Sequence, residues 1–285
     1  LLKDILQNQT INHSFMNKCI RLSMSVLFLS LLQACGGGGG EGSTEAAAEA
    51  PTPTTVAPVA GDLGAVSAKF APTENARFLL LTTGRESNSR GPTEQADSGA
   101  MLRLGDNSLS GSHQTVDISG DAHFALGRWV KGVVTETSGT KTLEGKNQQS
   151  YHYLAFNRLT ELPEEGELQC TAVAASAPTS PYGNNADAGS ASGSASIKLG
   201  ASGAVLQGEL QVHAGTESAT VKLSTTFSDP AYTHFTGQFL ANGSGAMISL
   251  AEQDGDMPAF VVGYKSQLPG GATYIGTARF ACTSK

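Results

Sequence analysis

Residues 166–172 read GELQCTA and residues 273–282 read TYIGTARFAC. A strand sends successive side chains to opposite faces, so the first stretch sets Leu168, Cys170 and Ala172 on one face and Glu167, Gln169 and Thr171 on the other. The second sets Tyr274, Gly276, Ala278, Phe280 and Cys282 together, opposite Ile275, Thr277 and Arg279. Each cysteine shares its face with apolar neighbours and points into a core. Between them the chain alternates over short stretches broken by Gly, Asn, Asp and Pro, the pattern of antiparallel sheet. The segments fall near 166–174, 193–199, 204–212, 218–227, 233–240, 245–251, 259–264 and 272–282. An even number of meandering strands brings the last antiparallel beside the first, which closes a barrel. The expected fold is therefore all-β, with an eight-stranded antiparallel β-barrel over residues 161–285. Cys170 and Cys282 lie on the strands that meet, and a disulfide between them would clasp the seam.

Working toward the N-terminus, residues 64–160 hold further apolar stretches, KFAPTENARFLLLTT, AMLRLGD, HFALGRWVKGVVT and YHYLAF, between long polar ones. They predict a smaller β-sheet packed on one end of the barrel. No stretch has a 3.6-residue apolar period of the kind an amphipathic helix needs.

Residues 31–40 read LLQACGGGGG. Polyglycine cannot hold a cysteine in a core, so Cys35 needs another purpose. Ahead of it stand Lys18 and Arg21, then the apolar LSMSVLFLSLL, then small Ala34, the layout of a secretory signal peptide. The apolar run is shorter than the roughly 20 residues a permanent span needs. LQAC resembles the lipobox of bacterial lipoproteins, which implies that Cys35 is acylated and becomes the new N-terminus. Translation is expected to begin at Met16, with residues 1–34 comprising upstream sequence and signal peptide. Residues 35–63 are nearly all Gly, Ala, Pro, Thr and Glu, too poor in large apolar side chains to repay ordering, and so predict a tether. Glycine-run lipoproteins of this form are displayed on the outer membrane of Gram-negative bacteria, and the cell surface is the expected location.

Processing at Cys35 removes Lys3, Lys18, Arg21 and Asp4 from 18 basic and 25 acidic residues, leaving 15 against 24 and a formal charge of −9. An acidic body has no electrostatic footprint for nucleic acid. Of four cysteines, Cys19 goes with the leader and Cys35 with the lipid. The even pair that remains in an oxidising compartment favours the disulfide.

Chemistry-bearing patterns are scarce. There is no G-x-S-x-G nucleophile motif, and His113, His123, His152, His213 and His234 are dispersed rather than paired with a nucleophile. No cysteine or histidine stands at metal-ligand spacing, and Asp254 to Asp256 reads as an acidic turn rather than a calcium loop. No enzyme, cofactor or metal is expected. The strands alternate small and large inward residues, as in a barrel filled by its own side chains, so a partner must use exposed loops. Two loops carry a tyrosine among turn-forming residues, Tyr182 in TSPYGNNADAG and Tyr232 in SDPAYTHF, and these are the candidate contact residues.

Residues 120–285 resemble the β-barrel lipoproteins related to transferrin-binding protein B. The likeness rests on Gly127, Arg128 and Trp129; on His152 and Tyr153; on Leu162, Pro163 and Gly166; on Pro178 and Thr179; and on the closing stretch AFVVGYKSQLPGGATYIGTARF. The resemblance implies a small sheet, or handle, joined to an eight-stranded barrel that presents loops to a host protein. Two-lobed members bind transferrin, whereas this chain has room for one such unit. Compact members serve haemoglobin and haptoglobin utilisation beside a TonB-dependent outer-membrane receptor. A host haem or iron carrier, haemoglobin or haptoglobin–haemoglobin ahead of transferrin, is thus the expected partner. The alternative is an envelope lipoprotein with a structural or immune-interaction role and no carrier ligand.

Overall fold

The computed structural model describes residues 61–182, 186–241, 243–255 and 257–285. Cys35, the leader and most of the tether lie outside the described residues. Strands form two sheets, and the one short helical turn among the described residues is a 3₁₀ turn at Asn147–Gln149.

The C-terminal sheet contains β10 (Gly166–Ala175), β11 (Ser190–Gly200), β12 (Gly203–Ala214), β13 (Glu217–Phe227), β14 (Thr233–Gly237), β15 (Gly245–Ala251), β16 (Ala259–Gln267) and β17 (Thr273–Ser284). Its order is β13-β12-β11-β10-β17-β16-β15-β14, every pair antiparallel, so the eight-stranded barrel is nearly closed. First and last strands do meet: Cys170 lies opposite Cys282 in the β10–β17 ladder, and the two form a disulfide. That seam is paired along its length, with one register shift between Ala172 and Ala174. The ladder is instead open on the far side, between β13 and β14, where side chains bridge it. Thr236 Oγ1 donates to Lys222 O at 3.2 Å, and the Phe227 and His234 rings meet edge-on at 4.5 Å. The predicted strand to residue 240 stops at Gly237, whose φ of +60° turns the chain into a bend closed by Ala241 N donating to Gln238 O.

Burial explains which strands alternate. In β11, β12 and β13 inward Ile197, Leu206, Leu210, Val221 and Leu223 are buried while Lys198, Gln207, Lys222 and Ser224 face water. In β15, β16 and β17 both faces are covered. Ile248, Leu250, Phe260, Val262, Ala278 and Phe280 fill the barrel, whereas Met247, Ala251, Ala259, Val261 and Ile275 pack outward against the other sheet. Strands covered twice read as continuous apolar runs.

The N-terminal sheet comprises β1 (Gly64–Val66), β2 (Ala76–Thr82), β3 (Arg85–Ser89), β4 (Thr93–Gln95), β5 (Met101–Leu104), β6 (Asn107–Gly120), β7 (Phe124–Glu136), β8 (Gly139–Glu144) and β9 (Tyr151–Asn157). The path is β3-β2-β9-β7-β6-β5-β4, with β8 on β7 and β1 running parallel to β6. Most of its nine strands are shorter than those of the barrel. It curls around Phe78, Leu80, Met101, Trp129 and Tyr153, and its other face sets Leu79, Leu81, Leu126, Leu154 and Phe156 against the barrel. It therefore lies along the outer wall of β15–β17 and not over an end of the barrel. β6 was the least legible strand: NSLSGSHQTVDISG is polar, and three register shifts against β7 break its alternation.

Candidate functional site

Gly127, Arg128, Trp129, His152, Tyr153 and Thr179, which carry part of the family resemblance, come together in a joint between the sheets, whereas Leu162 and Pro163 line a separate hollow with His123 and Glu252. Gly127 is opposite Tyr153 in the β7–β9 ladder, and a Cβ there would strike the Tyr153 hydroxyl. That hydroxyl accepts from Met101 N at 3.1 Å while Trp129 Nε1 donates to Met101 O at 2.6 Å, so both aromatic groups serve the core. Arg128, buried, holds Asp117 Oδ2 at 2.9 Å from its Nε and Asn147 Oδ1 at 2.8 Å from its NH1. The same Asp117 oxygen accepts from Ala177 N at 2.9 Å, which ties β6 to the segment that follows β10.

His152 completes the joint. Its Nδ1 lies 2.8 Å from Ser176 Oγ and its Nε2 2.7 Å from Thr179 Oγ1, and Ser176 Oγ reaches Thr277 Oγ1 on β17 at 3.2 Å. His152, Ser176, Thr179 and Thr277 are all fully buried. A histidine beside a serine invites a catalytic reading, but no substrate could reach this pair. Burial, then the Arg128 charge, hold the imidazole well below the ordinary histidine range, so it is neutral.

A pH dependence follows. The unfolded chain takes up a proton on this histidine near pH 6.5 and the folded one does so only at much lower pH. Stability contributed by neutral His152 is thus complete above about pH 6.5 and falls as pH drops below it, by roughly tenfold in the unfolding equilibrium constant per pH unit. His152→Asn is expected to remove that part of the slope. Urea titrations of both proteins from pH 7.5 to 5 check it, and parallel pH profiles would refute it.

The exposed surface has a different chemistry. Among the described residues, large exposed apolar side chains include Tyr182, Tyr232, Phe235 and Leu240, and they gather on one side of the molecule around edge strand β3. Two hollows lie there. The first, about 360 Å³, is walled by Thr82, Pro181, Tyr182, Ala241 and Thr273; the second, about 370 Å³, by Arg77, Arg158, Phe235, Phe239 and Leu240. Glu86 lines both, and its ion pair with Lys265 at 2.7 Å lies where they adjoin. Lys265 also sits over the Phe239 ring, 5.3 Å from its centroid.

Local bonds fix this surface. Thr83 Oγ1 donates to Pro181 O at 3.2 Å and Ser180 Oγ to Tyr182 O at 2.7 Å, which leaves the Tyr182 side chain 60% exposed. Asp229 Oδ1 accepts from Ala231 N at 2.7 Å in an Asx turn that leaves Tyr232 61% exposed beside the second hollow's Ala231 and Thr233. Asn88 of β3 donates to Thr233 Oγ1 at 2.6 Å and Ser249 Oγ at 3.0 Å, docking the edge of one sheet on β14 and β15. Of the tyrosines singled out in the sequence, Tyr182 lines the groove, and Tyr232 is flanked by Ala231 and Thr233, which line its second hollow. Phe235, Leu240, Arg77 and Arg158 did not stand out, although Phe235 belongs to the same SDPAYTHF stretch.

The remaining histidines are separate. His123 Nε2 meets Asp254 Oδ1 at 2.8 Å, and His234 lies edge-on to the Phe227 ring. No group of three or more potential metal ligands occurs among the described residues.

No protein-family model, no curated protein and no solved structure matches the chain.

Proposed function

We propose that this chain is a lipid-anchored surface module, held by Cys35, that captures a host haem or iron carrier protein for a TonB-dependent receptor. Haemoglobin and haptoglobin–haemoglobin are favoured over transferrin, as in the compact relatives of transferrin-binding protein B that the sequence resembles. The reading also fits the architecture, a nearly closed eight-stranded barrel beside a second curled sheet.

One observation carries the proposal: the barrel interior is occupied by its own Phe227, Phe260, Tyr264 and Phe280, while exposed aromatic side chains collect on the groove outside. A module of this shape meets a partner on its surface. Tyrosine suits such contacts because it adds large area and a polar tip at small entropy cost.

Full-length protein immobilised from detergent extract should retain haemoglobin or haptoglobin–haemoglobin and not transferrin. Tyr182→Ala should weaken that capture roughly tenfold, as a contact of about 1.4 kcal/mol does, without lowering the melting temperature. Retention of none of the three carriers would overturn the carrier reading in favour of an envelope lipoprotein with a structural or immune-interaction role.

A further inference from the structure

Arg77 on β2 lies opposite Phe156 of β9, and Arg158 follows the end of that strand in an isolated bridge with Ala251 of β15. Both line the hollow floored by Phe235, Phe239, Leu240 and Met247. Neither forms an ion pair among the described residues. Arg158 donates from NH1 to Ala231 O at 2.9 Å while its Nε is buried without an acceptor. Among the described residues Arg77 donates to the adjoining Ala76 O alone, at 3.3 Å. Among the described residues Glu86 is the one carboxylate in this wall, and Lys265 already holds it.

Two guanidinium groups with no carboxylate partner among the described residues are, in an acidic protein, a local reversal of sign. Arginine presents a planar fork that fits a carboxylate, and beside it Phe235 is 49% and Leu240 76% exposed. The hollow adjoins the one beside Tyr182 at the Glu86–Lys265 pair, so the surface is elongated and suits an extended segment better than a compact anion.

We infer that this groove docks an acidic segment of a partner protein, its carboxylates on Arg77 and Arg158 and an apolar side chain on Phe235 and Leu240. The inference rests on the capture reading for the existence of a protein partner and adds the chemistry by which that partner is held.

The test uses full-length protein and two fluorescein-labelled, C-terminally amidated pentapeptides, Leu-Glu-Phe-Glu-Leu and its isostere Leu-Gln-Phe-Gln-Leu, followed by fluorescence anisotropy. The acidic peptide is expected to bind at least tenfold more tightly, and to weaken several-fold between 50 and 500 mM salt as exposed charge pairs are screened. Arg77→Gln with Arg158→Gln should bring the two peptides within twofold of each other. Leu240→Ser, at a position too exposed to threaten folding, should weaken the acidic peptide with the preference for it retained, and it decides the matter if the double variant does not fold. Equal binding of both peptides to the parent protein, binding of neither, or no effect of Leu240→Ser overturns the proposal. Displacement of the acidic peptide by an equal concentration of decanoate overturns it in favour of a free amphipathic acid. The two readings fail separately. Haemoglobin capture undiminished in the arginine double variant removes the groove and leaves capture standing, whereas the peptide preference without carrier retention removes the carrier and leaves the groove.

Discussion

Replacing Cys170 and Cys282 together by Ala is expected to lower stability by about 4–5 kcal/mol, the loop-closure entropy of a crosslink joining residues 112 apart. For a domain of this size that corresponds to a fall of roughly 10–15 °C in melting temperature. The effect is large because the crosslink joins the first and last strands of the barrel. Without it, the unfolded chain regains the freedom of nearly the whole C-terminal sheet. The folded barrel loses little directly, since the β10–β17 ladder persists on both sides of the pair from Leu168 to Ala175. Differential scanning calorimetry of the parent and the double variant measures the shift, and a change under about 3 °C would remove the clasp as a source of stability. Reduction of the parent protein should reproduce the variant's melting temperature.

Asp117→Ala is expected to cost about 3–5 kcal/mol, because it leaves the buried Arg128 guanidinium without its counter-charge. Two further losses accompany it. Asp117 has a φ of +59°, which aspartate tolerates and a Cβ-bearing apolar residue resists, and its Oδ2 accepts from Ala177 N. Asp117→Asn keeps the backbone tolerance and an acceptor while removing the charge, so it should recover part of the loss. Adding Arg128→Met to Asp117→Asn removes the orphaned cation and should recover more. Urea unfolding of the four proteins reports the order. A cost below about 1 kcal/mol for Asp117→Ala would mean that water, not the carboxylate, satisfies Arg128.

The joint formed by Arg128, His152, Ser176 and Thr179 also changes the meaning of the motifs that were most visible in the sequence. Gly-Arg-Trp, His-Tyr and Pro-Thr stand out because each position is constrained. Here the constraint is packing of one sheet on another, and the groove proposed to meet a partner is built from residues with no such signature. Tyr182 and Tyr232 were found because aromatic residues in turns are visible locally. Arg77 was not, since a single arginine in NARFLLLTT looks like any strand-end charge until it is seen to have no ion pair among the described residues.

The sequence by itself determined the eight-strand count of the barrel, the inward direction of both cysteines and the meeting of first and last strands. Period-two alternation and parity are local, and β11, β12 and β13 express them cleanly because one face is wet. Strand ends in β14 and β16 were less exact, since Gly237 and a doubly covered run of apolar residues each obscure the boundary. What only the tertiary structure decided is the open side of the barrel, the placement of the second sheet along its wall, and the groove. Arg77, Arg158 and Phe235 belong to three strand regions far apart in the chain. Their meeting depends on sheet-on-sheet packing, in which side chains on outward faces choose partners by shape and burial, and no periodicity along the chain encodes that choice.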